Sequence, residues 1–402
     1  MFLVQALSSA FNMFWEILWP LVLGFALSAL VQAVVSRRAL AQLLGGESPR
    51  HLGLATLFGI ASSSCSYAAV ALARSLFRKG ASFTAAMVFE LASTNLVIEL
   101  GLILLVLLGW PFMLAQYLGG LLMVILLALI FRLTLSRKLV AQAREQAERG
   151  LSGRMEGHAA MDMSLEEDGP FWRRLWSGRA FTAISHYFVM DWAAVWSDIL
   201  LGLLIAGALA AWVPDSFWRA FFLSGNPTLA AIEGPLLGPL VAIISFVCSV
   251  GNVPLAAVLW RGGISFGGLV SFIFADLIVL PILDIYRKYY GWKMAGYLLL
   301  TFYVTMALAG YLVELLFSLL GLIPAQRAVA AVSEGLQWNY TTVLNLLALF
   351  VALMLVVRFL RTGGPAMLAM MNRPSAGPAP VSHGPEHGSH LQPGAHERAE
   401  EP

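Results

Sequence analysis

The sequence predicts an all-α polytopic membrane protein: two inverted repeats with interrupted or re-entrant helices, then an extra C-terminal span. Three observations predict it. The first is composition, since 59% of the 402 residues are hydrophobic and only 12% are charged, against about 25% charged in an ordinary soluble domain. The second is a series of apolar stretches of bilayer length. The third is a match of the chain to itself at a shift of 183 residues. This composition excludes a soluble enzyme, a secreted disulfide scaffold and a DNA-binding module. With a net charge of +2, no global field recruits nucleic acid.

A spanning helix takes about 20 mostly apolar residues. The first candidate, 12–35, follows neither a basic segment nor a small-residue cleavage site, so it reads as a span and not a removable signal. The next stretch, 52–77, is interrupted by Ser62-Ser63-Ser64-Cys65-Ser66. Two uninterrupted candidates, 82–108 and 111–133, complete the first membrane repeat, residues 1–136. Residues 137–190 form a loop whose segment Phe171–Asp191, with Trp172, Trp176, Tyr187 and Arg173-Arg174-Arg179, reads as an interfacial helix. Within that loop, Met155, His158, Met161 and Met163 lie in a Gly- and acid-rich stretch that fits a solvated linker or a soft metal-binding patch.

The second repeat, residues 191–320, opens with the candidate span 193–213. The stretch 235–260 is again interrupted, by Cys248-Ser249-Val250-Gly251-Asn252-Val253-Pro254, and 266–286 and 293–320 follow. Residues 321–362 carry the extra span, 341–360. The tail, 363–402, places His383, His387, His390 and His396 among Pro, Gly and Ser, a composition that predicts disorder.

Each interrupted stretch breaks into pieces of about 12 residues, and such pieces reach roughly half a bilayer. Treating 52–77 and 235–260 as re-entrant puts 22 of the 25 Lys and Arg residues on one side; only Arg219, Arg261 and Arg327 fall on the other. That asymmetry is what the positive-inside rule asks for. It predicts an integral cell-membrane protein with its N-terminus outside and its central loop and C-terminus cytoplasmic. Making 82–108 and 266–286 re-entrant instead gives 20 to 5, so the count fixes parity better than identity.

At the shift of 183, Cys65-Ser66 falls on Cys248-Ser249, Arg78 on Arg261, Gly80 on Gly263, Ser82-Phe83 on Ser265-Phe266 and Ala92 on Ala275. An odd number of crossings per half orients the two copies oppositely. Inverted repeats with broken helices are the construction of many secondary transporters, whose substrate sites lie where the breaks meet at mid-bilayer. Kinked helices packed on neighbours are the plainer alternative, and Gly251 and Pro254 alone suffice for one kink.

The Ser62–Ser66 run followed by Arg78-Lys79-Gly80-Ala81-Ser82, with Pro239-Leu240 leading to Cys248-Ser249-Val250-Gly251-Asn252-Val253-Pro254-Leu255, resembles the ArsP/YraQ-type predicted permeases. Gly262-Gly263-Ile264-Ser265 and Phe274-Ala275-Asp276 add to the likeness, which covers about 20–360. The resemblance implies a permease; the family includes efflux permeases for trivalent organoarsenicals.

A thiol is a soft ligand and prefers soft metals and metalloids. If the repeats bring Cys65 and Cys248 together, they form a two-thiol site for a metal or metalloid, matching the two open positions of a mono-substituted trivalent arsenical. Ser63, Ser64, Ser66, Ser249 and Asn252 would line the same breaks as neutral hydrogen-bonding groups. The plainer reading makes both cysteines buried small hydrophobes. A carboxylate at a helix centre in the bilayer costs roughly 2.5–3.5 kcal/mol, so those within spans invite a functional reading. Glu90 and Asp276, in matching helices, are the best candidates for proton coupling, with Glu99 as a third. Pairing with Arg74 or Arg261 is the structural alternative, and for Asp284 beside Arg287-Lys288 it is the preferred one.

No phosphate loop, HExxH or Cys-x-x-Cys occurs in the chain, so the expectation is a permease and not an enzyme, with no cofactor. Its expected partners are the lipid bilayer and a small-molecule or metalloid substrate, without nucleic acid. Two other functions stay open. One is transport of a small neutral or anionic solute held by backbone amides at half-helix ends. The other is an intramembrane oxidoreductase using the two cysteines, against which the spans supply no histidine to ligate haem.

Overall fold

The computed structural model describes residues 2–34, 43–63, 66–148, 177–223, 225–245, 249–327 and 340–371. Every regular element among them is helical. That is what a bilayer demands of a chain that crosses it without closing a barrel, since each peptide group must find its hydrogen-bond partner within its own segment.

In the first half, α1 (Phe2–Val34) is followed by α2 (Pro49–Ser62) and α3 (Ser66–Arg78), which flank the serine break. Next come α4 (Phe83–Asn95), α5 (Ile98–Leu107) and α6 (Trp110–Thr134). The expected continuous span 82–108 is thus two helices, parted at Leu96 and Val97, although together they are long and apolar enough to cross. After α6, α7 (Arg137–Glu148) packs against α3 and buries Ala143 and Ala147. The described start of the expected loop is therefore a docked helix.

The second half begins with α8 (Gly178–Trp212), 35 residues in one helix. The described part of the expected interfacial helix continues without a break into the expected span 193–213. Then come α9 (Asp215–Phe221), α10 (Pro227–Ser245) and α11 (Ser249–Gly262), the last two flanking the second Cys-Ser break. The expected span 266–286 is also divided, into α12 (Phe266–Phe274) with a 3-10 turn at Ala275–Leu277, and α13 (Leu280–Tyr290), bent by 41°. Pro281 in the first turn of α13 sets that restart, because it supplies a fixed φ where no N–H partner is needed. The remaining elements are α14 (Trp292–Leu319), α15 (Tyr340–Arg361) and the short α16 (Gly364–Met371), which lies at the start of the tail expected to be disordered. Six helices among the described residues are long and apolar enough to cross a membrane, or seven with the bent pair.

The repeat extends to local geometry. Adding 183 carries α3 onto α11, α4 onto α12 with its 3-10 turn, α5 onto α13 and α6 onto α14. Ser82 and Ser265 each cap the next helix, accepting from the N–H of Ala85 and of Gly268. Gly80 and Gly263 both turn the chain with φ near +114° and +113°, a conformation that L side chains rarely adopt. Arg144 lies over the Phe77 ring and donates to the carbonyls of Phe77 and Ala81; Arg327 lies over Trp260 and donates to Trp260 and Ile264. All three residues of this clasp are offset by 183.

Packing between the halves is reciprocal: α3 touches α13 as α11 touches α5, α6 meets α14, and α1 lies along α8. Within each half the broken pair packs tightly on its neighbour. On α10, a side chain at Gly238 would strike the Gly268 carbonyl and the Ser271 hydroxyl of α12; on α2, one at Gly59 would strike the Phe89 carbonyl of α4. Where lipid supplies no hydrophobic drive between helices, small residues permit such close approach.

The extra helix α15 is tied to both α1 and α8. Pro20 sits inside α1, and the Asn345 side chain reaches the ladder beside it, donating to the Trp15 carbonyl at 2.7 Å and accepting from the Trp19 N–H at 2.9 Å. Near the other end of α15, Arg358 donates to the Thr182 hydroxyl at 2.8 Å, and Phe359 packs on His186.

Candidate functional site: buried carboxylates at the helix breaks

The break after α2 begins at Ser63, which turns left-handed at φ 35° and ψ 80° and ends the helix. Carbonyls at a helix C-terminus have lost their ladder partners. Here the Ser28 hydroxyl of α1 approaches those of Ser62 and Ser63 at 2.8 and 2.6 Å. Gln32, one turn further along α1, donates to Ser28 at 3.0 Å and to Asp191 of α8 at 3.1 Å. The Ser63 hydroxyl donates to Glu99, an acidic residue in the first turn of α5, where the helix dipole favours negative charge. Glu99 lies flat against α1 at Gly24, a position that any side chain would block.

The second cluster joins the two halves. Ser66, the first residue of α3, donates to Asp276 at 2.7 Å, and Asn95, the last residue of α4, donates to the other Asp276 oxygen at 3.2 Å. Asp276 belongs to the 3-10 turn where the second half's span is broken, and Asn95 stands at the matching break in the first. Gln116 of α6 donates to the Asn95 carbonyl at 2.7 Å. Glu90, one turn before the end of α4 and within electrostatic reach of Asp276, accepts from the Tyr286 hydroxyl of α13. Glu90, Asn95 and Asp276 are wholly buried.

Of the residues singled out in the sequence, Ser63 is placed beside Glu99, Ser66 beside Asp276, and Glu90 close to Asp276. Asn252 is buried in the first turn of α11, and Ser249 begins that helix. Cys65, Cys248 and Ser64 lie outside the described residues, as do the side chain of Ser249, the Met155–Met163 stretch and the tail histidines. The side-chain hydrogen bonds given to Glu90 and Asp276 come from Tyr286, Ser66, Asn95 and Thr94, all neutral. Arg74, a candidate partner, donates to the Ala147 carbonyl at 2.8 Å and lies over Tyr289. Asp284 pairs with Arg287 and Lys288, each at 2.7 Å, as its neighbours suggest.

Sequence reasoning missed Tyr286, Gln116, Ser28, Gln32 and Asp191. Gln116 was within reach of the argument used for the carboxylates, because it is a polar residue in the middle of a span. Tyr286 was not, since beside Arg287-Lys288 it looks like an ordinary interfacial aromatic.

Broken helices meeting around buried polar groups are the architecture of a transporter. The chain matches the ArsP_1 family, described as "Predicted permease", over residues 3–315. The chain belongs to this permease family. It is 60% identical over 338 residues to "Putative permease Rv2963" of Mycobacterium tuberculosis H37Rv, covering 84% of this chain and 83% of that one. It is 28% identical over 216 residues to "UPF0718 protein YraQ" of Escherichia coli K12, covering 52% of this permease and 53% of that protein. No solved structure matches. The permease is embedded in the membrane, works on a small-molecule substrate, and has relatives that point to a transporter and not an enzyme.

Proposed function

We propose that the chain is a secondary permease that exports a soft-element solute, a trivalent organoarsenical or related metalloid or metal species, by alternating access. The observation that carries this reading is the Ser66–Asp276 hydrogen bond. It ties Ser66, the residue next to Cys65 in sequence, to a buried carboxylate in the opposite half. Soft solutes favour thiolate ligands, which assigns Cys65 and Cys248 to the substrate, with Ser63, Ser64, Ser66, Ser249 and Asn252 as the neutral lining. Glu90, Asp276 and Glu99 take up and release the coupling proton as the two halves rock. The 22-to-3 distribution of basic residues supports a cytoplasmic central loop and C-terminus.

The test is resistance and efflux in an arsenical-sensitive host expressing the full chain. With Cys65→Ser and Cys248→Ser combined, organoarsenical efflux falls at least about tenfold, the order expected when a soft ligand pair is replaced by hard oxygen, while membrane insertion is unchanged. Undiminished transport by the double variant would reject thiol ligation. It would favour a neutral or anionic solute held by backbone amides instead.

A further inference from the structure

The cluster around Asp276 holds three unpartnered acceptors against one unpartnered hydroxyl, that of Tyr290, within electrostatic reach of Glu90. Glu90 has one carboxylate oxygen, Oε2, that is buried and has no hydrogen-bond partner among the described residues; the same holds for Asn95 Oδ1 and Gln116 Oε1. These side chains are 0, 0 and 1% exposed. Both amides are fixed in orientation by what they touch. The Asn95 amino group faces the Asp276 carboxylate and the Gln116 amino group faces the Asn95 carbonyl, so turning either amide over would set oxygen against oxygen. Each free amide oxygen therefore belongs to a group already in contact with the cluster.

Two carboxylates lie within electrostatic reach here, and every hydrogen bond they receive is from a neutral group. Buried negative charge needs a positive counterpart. One proton neutralises one of the two carboxylates and can donate to at most one of the amide oxygens of Asn95 and Gln116, which leaves the other carboxylate without a counter-charge and the other amide oxygen without a donor. A hard cation supplies the charge and takes several oxygen ligands at once, neutral amides among them. Asn95 ends α4 at a helix break, and the C-terminal ends of half-helices are where interrupted helices coordinate coupling ions.

We infer that a desolvated monovalent cation, of the size and hardness of Na+, binds between Asp276, Glu90, Asn95 and Gln116. The inference rests on the proposed function for the placing of ion coupling at these carboxylates, sets a metal cation there where that reading sets a proton alone, and is independent of its thiol-bound substrate. A ligand that binds only the folded form raises its stability. The test is thermal unfolding of the purified full-length protein in detergent, as NaCl or KCl replaces choline chloride at constant pH and ionic strength. The midpoint rises and saturates with Na+, more than with K+ or choline. Gln116→Leu and Asn95→Ala each raise the half-saturating Na+ concentration about tenfold, the loss of one coordinating oxygen, and Asp276→Asn removes the response. If Asn95→Ala does not fold, Gln116→Leu, whose site meets a single backbone carbonyl, carries the comparison. Equal midpoints in Na+, K+ and choline overturn the inference in favour of water or a proton, and a Na+ response untouched by these variants overturns it by placing the ion elsewhere. Absence of a Na+ response in the unsubstituted protein, with cysteine-dependent efflux intact, rejects only the ion site. The converse rejects only the thiol reading.

Discussion

Ser63 holds φ 35° and ψ 80° in spite of its side chain, and its hydroxyl is what reaches Glu99. A left-handed L residue costs about 1–2 kcal/mol of backbone strain, and leaving a buried polar partner unsatisfied costs about as much. The two substitutions that remove the hydroxyl therefore differ. Ser63→Ala keeps the strain and loses the contact, whereas Ser63→Gly loses both, so Ala is the less stable by about 1 kcal/mol in thermal unfolding. Equal midpoints would mean that the turn is relaxed. At this scale the sequence was partly readable. Glu90, Glu99 and Asp276 stand out because carboxylates are rare in spans, whereas their partners are ordinary Ser, Asn and Tyr residues. Glu90 and Tyr286 are 196 positions apart, and only the packing of the two halves brings them together.

At the level of elements, legibility followed how conspicuous each interruption was. Five polar or thiol residues in a row mark the break at 62–66 in an apolar stretch. The break at Leu96 and Val97 contains neither proline nor glycine and stays hydrophobic, so 82–108 reads as one span. Its counterpart at Ile278 and Val279 had a signal in Pro281, and the 183-residue offset would have carried that signal back to the first half. The role of Asn345 was also hidden. A polar residue in 341–360 looks incidental until α1 is seen to carry Pro20 beside the rung that Asn345 bridges. Asn345→Leu removes both hydrogen bonds and opens that rung to hydrocarbon. The expected loss is about 1–2 kcal/mol, the range of interhelical polar contacts in membranes, seen as a lower unfolding midpoint in detergent. An unchanged midpoint would show that α15 is held by Arg358 and apolar packing alone.

At the scale of the whole molecule, the Arg144 and Arg327 clasps offer a direct test of repeat orientation, because they are equivalent positions whose sidedness differs only if the halves are inverted. Glu148→Cys and Ala325→Cys, both at exposed positions near the clasps, should react with an impermeant maleimide from opposite faces of the membrane. Labelling from the same face would make the repeats parallel and remove the basis for alternating access between them. The reciprocal contacts of α3 with α13 and of α11 with α5 have a consequence for any shortened gene. A product ending near residue 150 would retain its own arginine clasp yet present two helix faces whose mates are encoded downstream. Such a fragment is an orphan subunit: it must find a second copy of itself to cover those faces, or be cleared by proteases.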